Sequence, residues 1–419
     1  MSIRKLSERW LDRVVSIEPL HAAIAAATWS LVLLVGSFAV GVFQYEYGGR
    51  EVGYASSLNW AIGFTLIVPL FYFFLLTTLQ EMSALGSRLA SAGMLLDGEL
   101  KPHPNGATLA TNRWKAMLKR YSLSWMVFSI LGLLESLWEW WTYSGGPLWT
   151  GDRSGVAEVD WSIKQVGAEA VTAKAAAAFS LVVFLQQALL IAMIALLLHF
   201  ALAMNALVRD LRQPGRAARL FPSGTYSPDD PRCGFQQFST VLSHFLLAGA
   251  CLYSQLLLSR LWNAYLHTPE KSALNVWGFI REEFLEGADV ALDLKSLRGS
   301  ILEYLRDLGA LDFSGLMVAL GAVLLFLVSL GLMIVVLRRA ARESRHELLN
   351  SGIRGVAKER LTKMVFWPLR FPRLTTLLAI GFMAILGMVA YKAAILFLGI
   401  AFGLALTAAL TEILPRIAR

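Results

Sequence analysis

Two carboxylates, Glu135 and Glu139, stand four residues apart inside the apolar run 122–142. That spacing puts both on one face of a helix, about one turn from each other. Ser122, Ser129, Gly132, Ser136 and Tyr143 project toward the same side, so the helix is expected to carry a polar stripe along an otherwise apolar surface. A carboxylate held in hydrocarbon costs about 2.5–3.5 kcal/mol even on lenient insertion scales, and it normally faces a cavity or a partner. Such a pair can bind a cation or hand on a proton. The plainer alternative is that Glu139, ringed by Trp138, Trp140 and Trp141, is hydrated at an interface, while Glu135 is a packing carboxyl.

Polar residues also interrupt two later apolar runs. Gln186 and Gln187 fall near the middle of 176–204, followed by His199 and Asn205. Thr240, Ser243 and His244 lie near one end of 237–259, with Ser254 and Gln255 near the other. Glu135, Glu139, Ser136, Gln186, Gln187 and His244 together make a candidate transport path or proton and cation site. Amides in such positions also serve as interhelix hydrogen-bond glue. His199 and His244 sit at similar expected depth, but two histidines without a placed carboxylate make no metal site, and none is expected.

No His-Glu-x-x-His, Gly-x-Ser-x-Gly, phosphate-cradling glycine loop or Cys-x-x-Cys occurs, so neither catalytic residues nor cofactors are expected. The nearest approach to enzyme chemistry is Asp229-Asp230-Pro231-Arg232, which could hold a metal or phosphate headgroup but reads more simply as a solvated turn.

The elements that must position these groups are membrane helices. Of 419 residues 56% are hydrophobic and only 16% charged, with mean hydropathy +0.55. The excess apolar content comes in stretches of about 20 residues, enough to cross hydrocarbon of about 30 Å. This excludes a soluble globular enzyme and a disordered chain. The fold expected is an all-α polytopic membrane bundle of about eight transmembrane helices, at 22–43, 58–79, 122–142, 176–204, 237–259, 315–337, 374–391 and 393–411. The last two are one apolar run broken by Lys392. As a single straight helix it would reach about 57 Å, which favours a hairpin turning at Tyr391–Lys392.

Charge bias orients the bundle. Segments 1–21, 80–121, 205–236, 338–373 and the tail hold 27 of the 38 lysines and arginines. By the positive-inside rule these face the cytoplasm, so both termini are expected inside, in a bacterial inner membrane. The net charge of +8 is thereby a topology signal and needs no nucleic-acid partner. Cys233 and Cys251, eighteen residues apart along a helix, cannot approach the roughly 7 Å needed for a disulfide.

Segment 260–314 reads as two short amphipathic helices forming a small extracytoplasmic cap. In the basic cytoplasmic segment 338–373, Arg338, Arg339, Arg342 and Arg345 line one side of a helix, where anionic lipid headgroups would meet them. Gly399 and Gly403, at four-residue spacing, let helix backbones touch and favour a homo-oligomer or membrane complex.

These features point first to a channel or transporter moving an ion or small solute along the third, fourth and fifth spans. A non-conducting sensor, scaffold or effector is the alternative, and a lipid- or envelope-modifying enzyme a more remote one. Against a carrier stands the scarcity of interrupted spans, since Pro69 is the only proline in the middle of one.

Overall fold

The computed structural model describes residues 3–41, 43, 45–47, 50–52, 54–55, 58–143, 170–223, 232–267, 313–352, 356–365 and 407. Among the described residues the fold is all-α apart from four strands of two or three residues. Four described helices are long and apolar enough to cross a membrane: Pro19–Ala39, Trp60–Ser91, Leu181–Asp210 and Leu324–Asn350. Gly106–Arg120 and Ser122–Trp138, bent by 42° at Tyr121, form a fifth if counted as one span. The expected spans 22–43, 58–79, 122–142, 176–204 and 315–337 therefore coincide with helices, and 237–259 falls within a sixth long helix, Gln237–His267. The terminal pair 374–391 and 393–411, apart from Thr407, and nearly all of the cap 260–314, lie outside the described residues.

Helix α1 (Ile3–Val15) is amphipathic. Its inner side buries Ser7 and Leu11, and Ser7 shares a 3.0 Å hydrogen bond with Ser122. Lys119 reaches Asp12 at 2.7 Å. Ile3, Leu6 and Trp10 remain exposed on the opposite side, in the manner of a helix lying in a membrane surface. Helix α2 (Pro19–Ala39) starts at a proline, where a missing N–H costs nothing, and the Glu18 carboxylate accepts from the His21 N–H at 2.7 Å. A small hairpin, β1 (Tyr45–Tyr47) and β2 (Arg50–Val52), follows.

The centre of the bundle is α3 (Val68–Ser91), entered directly from a π-wound segment, Leu58–Ile67. Phe71, Tyr72, Phe73, Phe74, Leu75 and Leu76 are consecutive and all buried. A helix apolar on every side is one enclosed by others. Here α2, α4 and α7 enclose it. Around it stand α4 (Gly106–Arg120), α5 (Ser122–Tyr143), α6 (Ala170–Asp210), α7 (Gln237–His267) and α8 (Phe313–Asn350). A short α9 (Val356–Thr362) follows. Aromatic rings fill the middle: Phe200 against Trp114 and Phe245, and Phe245 stacked on Phe326 at 5.1 Å. Gly249 is the notch that admits Phe326, because a Cβ there would collide with its ring.

The basic segments 80–121 and 205–236 are joined. Strand β3 (Leu95–Leu96) pairs antiparallel with β4 (Arg219–Leu220), and the Phe221 N–H donates to the Met94 carbonyl at 2.8 Å. Gly234, at φ +89°, lies so close to the Met94 side chain that only glycine fits. With α4 these pieces form a platform at one end of the bundle.

Candidate functional site

Helix α5 meets α6 through a seam of small or hydrogen-bonding residues. Ser122, Trp125, Gly132 and Ser136 are buried along it. Trp125 Nε1 donates to the Ala192 carbonyl at 2.9 Å, and a Cβ on Gly132 would strike Ile191. Shape therefore fixes which side of α5 turns inward. Glu135, one residue from Ser136 and so about 100° around the helix, is exposed. Its neighbours on that outward face are Phe128, Leu131, Leu134 and Trp138, all exposed too. Glu139 lies one turn further along the same face; its side chain is outside the described set. The structure thus separates Ser136, whose hydroxyl has no partner among the described residues, from Glu135.

The polar residues of α6 and α7 are used elsewhere. Gln186 is buried, and its Nε2 donates to Ser30 Oγ at 2.7 Å. Ser30 in turn donates to the Phe64 carbonyl at 2.8 Å. Ser30 and Gln186 thus tie α2 and α6 to the turn that precedes Pro69, where the proline's missing N–H loosens the helical hydrogen-bond ladder. From the other side, α7 lays Gln255 against Gly63, where a Cβ would overlap the amide. Gln187 is only half-buried.

The histidines go to different neighbours. His199 Nε2 is 2.8 Å from the Leu118 carbonyl, and its ring meets Tyr121 edge-on. His244 stacks on Phe74. No group of three metal-ligating side chains occurs among the described residues. Asp229, Asp230, Gly399 and Gly403 lie outside those residues.

Of the arginines on α8, Arg338, Arg339 and Arg342 are exposed. Arg339 pairs with Glu343 at 2.6 Å, and Arg345 donates to the Thr362 carbonyl of α9 at 3.1 Å. Beside them is a groove of about 780 Å³ in which Arg342, Arg345 and His346 stand among Glu343, Glu347, Leu349 and Asn350.

A charged cluster not anticipated from sequence locks the platform to α8. Arg219 grips Glu347 with two hydrogen bonds of 2.7 Å, and Arg212 adds a third at 3.3 Å. Both guanidinium groups also lie over the Phe221 ring, 5.3 and 4.9 Å from its centre. Burial pulls the Arg212 guanidinium below its ordinary range, and the Glu347 hydrogen bond opposes that shift. Nearby, buried Asp210 holds Arg113 at 3.5 Å and also pairs with Arg216, while Arg113 donates to the Ala218 carbonyl at 2.9 Å.

A family model described as RcgA-like matches residues 5–236, more than half of the chain. The match runs from α1 through α6 and the platform and stops before α7. No curated protein and no solved structure matches.

Proposed function

We propose that the chain, which belongs to the RcgA-like family, is a membrane channel or transporter whose path runs along the outward face of α5. The supporting observation is Glu135, an ionisable side chain exposed among Phe128, Leu131, Leu134 and Trp138 on a helix of membrane character. Ionisable groups at such positions mark ion pathways or proton relays more often than ornament, because their cost must be offset by hydration, a partner or a passing ion. The seam between α5, α6 and α7 is a poorer candidate. Gln186 is committed to Ser30, His199 lies against a backbone carbonyl, and phenylalanines occupy the centre. Glu135 and Glu139 would bind the cation or carry the proton in turn, one helical turn apart. The setting we propose is a bacterial inner membrane with both termini in the cytoplasm, and anionic headgroups against Arg338, Arg339 and Arg342.

The test is ion flux in liposomes with purified protein, comparing wild type with Glu135→Gln and Glu139→Gln. The reading expects wild-type flux and a loss of at least tenfold in each variant, with folded yield retained. Flux unchanged in both variants removes α5 as the path.

A non-conducting effector is the second reading, favoured by the exposed arginines Arg338, Arg339 and Arg342 of α8 beside the Arg212–Glu347–Arg219 lock. It expects folded wild-type protein to be silent in the same assay and to bind an acidic surface through Arg342 and His346.

A further inference from the structure

We infer that the outward face of α5 is covered by the apolar run 374–411 of the same chain, with Lys392 as the counter-charge of Glu135 and Glu139. The inference stands on packing and charge and does not require the chain to conduct.

Four exposed apolar side chains alone would describe a helix facing lipid. The carboxylate changes the argument. An intramembrane acid almost always faces protein or water and pairs with another group, and no ion pair of Glu135 occurs among the described residues. Something with a positive charge or a wet surface belongs over it. The sequence beyond Val365 supplies such a segment: 38 apolar residues interrupted by one charge, Lys392. That segment has the converse problem, since a lone ammonium in an apolar hairpin also needs a partner.

Depth and reach agree. Taking Ser122 and position 374 as entering at the same membrane face, Glu135 stands about 20 Å and Glu139 about 26 Å above the start of α5. A helix running from position 374 would carry Lys392 about 27 Å along its axis, level with Glu139 and one lysine side chain away from Glu135. The connection 366–373 can extend to about 26–29 Å, more than twice the 8–10 Å between packed helix axes. Starting from α9 beside α8, it can reach around α6 to α5, because both α8 and α5 pack on α6. A second copy of the chain is a weaker occupant, since two α5 faces would oppose carboxylate to carboxylate.

The experiment is cross-linking in membranes with the full-length chain carrying a protease site within 353–355. Leu131→Cys is paired with cysteines placed singly at each position from 380 to 390, bracketing Met383 at the matching depth. Single-cysteine proteins report the background from Cys233 and Cys251. A short bis-maleimide should keep the two protease fragments joined for a periodic subset of positions. Disulfide or maleimide dimers from Leu131→Cys alone would show a second copy on this face and overturn the inference. Absence of any cross-link across the scan would leave lipid as the occupant and overturn it equally. Charge exchange is the second measurement. Glu139→Lys and Lys392→Glu should each lower folded yield several-fold, and the double exchange should restore it to within about twofold of wild type. A double no better than the worse single rejects the pairing even where cross-links form.

Discussion

Ser30→Ala should be more damaging than Ser30→Ala combined with Gln186→Leu. The hydroxyl is the middle of a chain in which Gln186 Nε2 donates to Ser30 and Ser30 donates to the Phe64 carbonyl, at 2.7 and 2.8 Å. Interhelix hydrogen bonds in membranes are worth about 0.6 kcal/mol on average and up to about 1.7. Removing Ser30 breaks two, so the single change should cost about 1–3 kcal/mol. Gln186→Leu breaks one bond, and it also removes Oε1, a buried acceptor with no partner among the described residues. Exchanging an imperfectly paired amide for an apolar group of similar size is close to neutral. The double variant leaves only the Phe64 carbonyl stranded, a loss of about 0.6–1.7 kcal/mol.

Thermal unfolding in detergent can be followed with a maleimide dye, because Cys233 and Cys251 are both buried and become reactive only on unfolding. The order expected, from most to least stable, is wild type with Gln186→Leu, then the double variant, then Ser30→Ala. Additive losses, or a Gln186→Leu cost exceeding that of Ser30→Ala, would refute the relay.

Glu347→Gln should loosen the platform from α8. Arg212 and Arg219 keep only 12% and 13% of their side-chain surface exposed, while Glu347 keeps 37%. The cost is discounted from a fully buried pair to about 1–3 kcal/mol, and protease sensitivity of the region around residue 220 should rise; unchanged sensitivity and melting would show the lock to be incidental. Gly132→Leu should force α5 from α6 at Ile191, costing about 1–3 kcal/mol by overpacking. Gly331→Leu, with open space around it, should melt within a degree or two of wild type in the same assay. Equal effects at the two glycines would mean that the α5–α6 seam is wrongly placed.

What could be read from residue types differs from what needed a third dimension. Length and hydropathy are local, so the helices at 22–43, 122–142, 176–204 and 315–337 were legible, and Pro69 was conspicuous. That Ser30 donates to the Phe64 carbonyl, in the turn before it, was not, because a partner on another helix is set by packing. The stripe of α5 shows the same limit. Polarity groups Ser122, Ser129, Gly132, Ser136 and Glu135 within a broad arc, but two parts of that arc have different fates. Gly132 and the Trp125 N–H fit α6, so the serine edge turns in, and the carboxylate edge is left outward. Steric fit, which hydropathy does not encode, decides the outcome. The arginine lock was hidden for another reason. Arg212, Arg219 and Glu347 each resemble an ordinary cytoplasmic charge that the positive-inside rule already explains. Their meeting depends on β3 pairing with β4, a two-residue ladder that turns the loop after α6 back toward α8. The matched stretch 5–236 ends before α7, so Glu347 lies beyond it while Arg212 and Arg219 lie within. The lock therefore joins the family-defined part of the chain to a helix outside it. That placement makes α8 the element that ties the platform to α6, the helix carrying Gln186.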